Sequence, residues 1–134
     1  MTDAYPAPDA TPPLRVLILG AATRGWYAAS AEVRQAVILP RLAAALKGWE
    51  AAGARLVASF DDDVLKAGEP ADGGWTWFLV YEVPSLQTVA EMLHAFRWGD
   101  DDRLDRWFRL EAKVGRAFFP VEPVRPPLPP PAQP

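Results

Sequence analysis

The chain has 134 residues, half of them hydrophobic, a net charge of −3, one histidine and no cysteine, so it holds one domain with a real core and has no disulfide, reactive thiolate, iron–sulfur cluster or His/Cys zinc site. Acidic and basic residues between Leu14 and Phe119 number 14 and 13, which leaves no face with the Lys and Arg density that nucleic acid requires. No basic stretch leads into an apolar run at the start and no segment has the 18 or so apolar residues of a membrane span, so the expectation is a cytoplasmic protein with neither nucleic acid nor membrane as partner.

Residues 1–13 contain four of the fifteen prolines and little that could be buried, which predicts a disordered N-terminal tail. Leu14–Gly20 is a short apolar run between Pro13 and Gly20 and reads as a buried strand. A connection through Arg24, Gly25, Trp26 and Tyr27 follows. Ser30 is placed to cap a helix with Glu32 in its first turn; Leu42, Leu46 and Trp49 give that helix an apolar stripe, and Gly53 stands where a left-handed cap would end it. Pro40 must kink the helix or open a second one. Residues 54–60 predict the second strand and 61–74 a loop rich in Asp, Gly and Pro. The third strand is expected over 75–83. Pro84 and Ser85 then stop it and cap a second helix whose face is Leu86, Val89, Ala90, Leu93 and Phe96, with Gly99 at its end. The fourth strand runs from Trp107 to about Val114. Eight prolines after residue 119 predict a second disordered tail over 120–134, whose polyproline character could dock in a partner's aromatic groove but reads more simply as inert.

The resulting order, βαββαβ over 14–119, predicts an α+β domain of ferredoxin-like topology: a four-stranded antiparallel sheet with two helices on one face. Both faces of the first and third strands are apolar, so the face away from the helices needs a cover. A second copy of the same face would supply it and make a dimeric α/β barrel; the alternative is that the 61–74 loop or the C-terminal segment folds over the sheet.

Chemistry-bearing residues are few. Asp61, Asp62 and Asp63 invite a metal reading, but consecutive carboxylates do not converge on one ion and the EF-hand spacing is absent, so a solvated turn is expected there and at Asp100–Asp102, and no metal. His94 has the one side chain with an ordinary pKa near neutrality and lies at the border of the second helix's apolar stripe. In the fourth strand Arg109, Glu111 and Lys113 alternate with apolar residues. That charged face either anchors a carboxylate through Arg109 and takes a proton through Glu111, or protects a sheet edge from association. Trp26, Tyr27, Trp75, Trp77 and Tyr81 could build an aromatic pocket, with Arg24 as a second carboxylate anchor. Strand alternation puts Trp75, Trp77 and Tyr81 on one side; that side is expected to be the cavity, with Phe78 and Val80 packing on the helices.

The combination of Phe60-Asp61-Asp62-Asp63, Gly74-Trp75-Thr76-Trp77, Glu82-Val83-Pro84, and Leu104 with Trp107, Glu111, Ala112, Gly115 and Arg116 resembles the IacB-like proteins of bacterial indole-3-acetate degradation clusters. The likeness spans most of residues 54–119 and implies a small dimeric α/β-barrel protein acting near the oxidation of an aromatic acid. It carries over no catalytic residue.

Two functions are therefore expected. The first is a cofactor-independent protein that binds a small aromatic carboxylate, with Arg24 or Arg109 on the carboxylate and Trp26, Trp75, Trp77 and Tyr81 on the ring. Glu111, Asp62 or His94 would then assist proton transfer, isomerisation, hydration or oxygenation. The second is a non-catalytic carrier or accessory subunit with the same pocket. No glycine-rich dinucleotide or phosphate-binding motif is present.

Overall fold

The structure, a computed structural model, describes residues 14–69, 74–97 and 103–118. The two expected tails, Gly99 and the Asp100–Asp102 turn lie outside the described residues.

Strand β1 (Leu14–Ala22) is followed by a short helix α1 (Arg24–Ala28), α2 (Ala31–Val33), a π turn (Arg34–Ile38) and α3 (Leu39–Ala51). Then come β2 (Arg55–Asp61), β3 (Trp77–Val83), α4 (Leu86–Arg97), a 3-10 turn (Leu104–Arg106) and β4 (Phe108–Gly115). The four strands form one antiparallel sheet in the order β2-β3-β1-β4. No described helix is long and apolar enough to cross a membrane.

Local chemistry explains most boundaries. The connection expected after β1 is helical, because the Thr23 hydroxyl accepts from the Gly25 N–H and caps α1. Ser30 caps α2 by accepting from Val33 N–H, and Ser85 caps α4 by accepting from Thr88 N–H. A short helical lead-in precedes the main helix, as expected, and the main helix opens at Leu39 with Pro40 in its first turn. Pro40 has no N–H for the carbonyl of Ala36, and its ring would press on that carbonyl in a regular α-helix. The preceding turn widens to π geometry, with the Leu39 N–H reaching back to the Arg34 carbonyl. At the end of α3, Gly53 N–H donates to Glu50 O and Ala54 N–H to Trp49 O. This Schellman pair needs the positive φ of 107° that Gly53 adopts.

The core lies between the sheet and the helices. Val16 and Ile18 of β1, Tyr81 and Val83 of β3, Trp49 of α3, and Val89, Met92 and Phe96 of α4 are all buried. The buried stripe of α4 therefore runs through Met92, while Leu86 and Ala90, expected on it, are exposed. Trp49 ties α3 to α4 by donating its indole N–H to Met92 O at 3.1 Å and meets Tyr81 edge-on at 5.7 Å.

This packing inverts the expected faces of β3. Tyr81 belongs to the core and Trp77 packs against it, whereas Phe78 stacks on Phe60 of β2 at 4.8 Å on the face away from the helices. Alternation says only which residues share a side; the side itself was set by Trp49 and the other large residues of the helices. Trp75 also leaves the pattern. Thr76 N–H donates to Gly20 O although the register partner of Gly20 is Trp77, so the ladder is irregular at the mouth of β3, and Gly74 with a φ of 61° turns the chain just before Trp75.

The face away from the helices carries Leu17 and Leu19 of β1, Phe78 and Val80 of β3, and Phe60 of β2, which is 58% exposed. Leu65 to Glu69 approach one end of this face beside Leu19 and Phe78.

Candidate functional site

Two hollows are lined by aromatic side chains. The first lies between α3 and the sheet and encloses about 540 Å³. Its floor is an aromatic cluster centred on Phe108, which has Trp26 at 5.4 Å on one side and Trp77 at 6.2 Å, edge-on, on the other. Trp26 is presented by α1, which can sit so close to the 3-10 turn because residue 25 is glycine: a Cβ there would lie 2.2 Å from the Arg106 carbonyl oxygen. Arg34 braces Trp26, donating to its carbonyl at 2.9 Å and lying 5.1 Å over its ring. Trp77 lies flat across Gly20 of β1. Leu39, Leu42 and Leu46 of α3 form the opposite wall. The polar side chains at this groove are Ser59 and Asp61 of β2, whose register partners Leu79 and Trp77 also line it.

The second hollow, of about 680 Å³, lies on the opposite face of the sheet beneath residues 62–69. Leu19, Phe78, Phe60, Leu65 and Trp75 line it, together with Asp62 and Lys66, which pair at 3.2 Å. Arg109 packs its guanidinium 4.5 Å over the Trp75 ring and donates to Gly74 O at 3.0 Å.

Farther along this face, Glu82 is nearly inaccessible between two arginines from the neighbouring strands. Arg15 donates to it at 3.3 Å and Arg55 to its other oxygen. Burial pushes the Glu82 carboxyl up, but hydrogen bonds and charge from Arg55 and Arg15 outweigh this and hold it below the usual carboxylate value. Burial, with a smaller push from Glu50, raises the Tyr81 phenol.

The candidate residues are thus divided. Trp26 and Trp77 share the helix-side groove; Trp75 and Asp62 share the other hollow, with Arg109 held at its edge. Tyr81 is core. Arg24 is exposed at the start of α1, His94 is exposed on α4, and Glu111 is exposed opposite Leu19, so the three proton-transfer candidates do not converge. The aspartate triplet divides as well, with Asp61 on the groove side and Asp62 beside Lys66, and among the described residues no three His, Cys, Asp or Glu are grouped to hold a metal. Sequence reasoning missed Phe108 as the centre of the aromatic cluster, Ser59 and Asp61 as its polar edge, and Glu82 as a buried ion. The last had a visible signal, a lone carboxylate in the apolar run 77–83. The chain matches no protein-family model, no curated protein and no solved structure.

Proposed function

We propose that the chain is a small-molecule-binding protein that holds a planar aromatic metabolite in the groove between α3 and the sheet. One observation carries the reading: Trp26, Phe108 and Trp77 form a continuous aromatic floor opposite three leucines in a groove of ligand size. The carrier or accessory role is favoured over catalysis, because Asp62, Glu111 and His94 are dispersed and none lines this groove. The expected carboxylate anchors do not line it either: Arg24 stands outside, and Arg109 is engaged with Trp75 and Gly74.

The strand order supports a ferredoxin-like assignment, and the apolar open face supports pairing of two copies through their sheets as an α/β barrel. On that reading the groove remains accessible in the dimer, since it lies on the helix side. A place among IacB-like proteins, in the cytoplasmic breakdown of aromatic compounds and without a cofactor, is the biological setting we propose.

Calorimetric titration of the full chain with indole tests the ligand reading. Saturable binding is expected, and Leu46→Trp, which fills the groove with a larger side chain, should abolish it. Absence of binding, or equal binding by the variant, refutes the reading. Light scattering tests the assembly: a dimer is expected, and Val80→Glu, on the open face, should yield a monomer with indole binding intact.

A further inference from the structure

We infer that the helix-side groove selects aromatic ligands bearing a protonated amine, with the Asp61 carboxylate as counter-charge and Ser59 as a second acceptor. This rests on the aromatic-ligand reading above and specifies its chemistry.

The groove is chemically one-sided. Its floor and far wall are rings and leucines, so its polarity comes from one edge, where β2 contributes a carboxylate and a hydroxyl. Register places Asp61 directly opposite Trp77 and Ser59 directly opposite Leu79. Residues so paired have Cβ atoms about 4.5–5.5 Å apart, so a ring lying on the Trp77 indole has the Asp61 carboxylate within reach of a short substituent. Among the described residues, neither the Asp61 carboxylate nor the Ser59 hydroxyl has a hydrogen bond or ion pair with another side chain.

Among the described residues, no cation lines the groove to balance Asp61. The nearest aromatic–cation contact at its edge is made by Arg34, whose guanidinium is already bound to the carbonyls of Trp26 and Tyr27. Lys66 belongs to the other hollow, where it pairs with Asp62. A carboxylate on the ligand would therefore meet like charge. An ammonium would meet Asp61 and the electron-rich ring of Trp77, both attractive. Asp61 is exposed, so solvent screens this preference and keeps it moderate.

The test compares indole, tryptamine and indole-3-acetate by calorimetry on the full chain at low and physiological salt. Tryptamine should bind about 3- to 10-fold more tightly than indole, the size expected of an exposed ion pair with a cation–π contribution, and indole-3-acetate more weakly than indole. The spread should narrow as salt rises. Asp61→Asn should bring the three affinities together, and Ser59→Ala should narrow the preference for tryptamine over indole. Thermal unfolding of both variants checks that the fold is kept. If indole binds but tryptamine binds no more tightly, or if Asp61→Asn keeps the ranking, the amine inference is overturned and the aromatic reading stands. If neither indole nor tryptamine binds, both fall.

Discussion

Replacing Gly20 by alanine should damage both the stability of the protein and its groove, through a single atom. Gly20 faces Trp77 across the β1–β3 ladder, and a Cβ on residue 20 would lie 2.2 Å from Cζ2 of that indole and 2.3 Å from Cε2 and Cη2. Ordinary carbon contacts are about 3.5–4.0 Å, so the ring or the strand must move by more than an ångström. The atoms struck belong to a rigid ring system packed against Phe108, and overpacking of this kind costs about 1–3 kcal/mol. Alanine also restricts the unfolded chain, which offsets roughly 0.4–1 kcal/mol of that. A net loss of about 1–2 kcal/mol is expected in urea unfolding, with weaker indole binding because the displaced indole has the groove to move into. A double-mutant cycle isolates the cause. In a Trp77→Leu background the added methyl has no ring to strike, so Gly20→Ala should be neutral or stabilising by up to about 1 kcal/mol there, and the coupling about 1–3 kcal/mol. Gly20→Ala with wild-type stability and binding, or a cycle with no coupling, would refute the placement of Trp77 over Gly20.

Glu82→Gln should destabilise the protein at neutral pH by about 1–3 kcal/mol, less than for a wholly buried pair because Arg55 is 61% exposed. The folded-state pKa of Glu82 is depressed, so its ionised form stabilises the fold above the ordinary carboxylate value, and that contribution is lost as pH falls through the folded pKa. Thermal unfolding from pH 7 to 3 should therefore show the gap between wild type and variant closing below about pH 5, and a constant gap counts against the ion cluster. On β3, Tyr81→Ala should cost about 3–5 kcal/mol, as loss of a core ring does, and Phe78→Ala clearly less. Denaturant titration giving the reverse order would return the two faces to the arrangement that alternation and ring content suggested.

The sequence by itself determined the element order, because its signals are local. Apolar runs, the caps at Ser30 and Ser85, and the left-handed turn at Gly53 each act within a few residues of chain. It also placed Arg109, Glu111 and Lys113 on one side of β4 and the core residues on the other, since there charge and apolarity alternate cleanly. The sides of β3 were not legible, because both sets of alternating residues are apolar and either could have met the helices. Tertiary structure decided between them through contacts remote in sequence: Trp49 against Tyr81, Gly20 beneath Trp77, Phe60 on Phe78. The same holds for charge. Glu82 is an isolated acid until β1 and β2 bring Arg15 and Arg55 to it, and Asp61 is one of three adjacent aspartates until pairing with β3 sets it beside Trp77. A residue's neighbours along the chain fix its backbone conformation, whereas its burial, its partners and its place in a site depend on strands that meet only when the sheet closes.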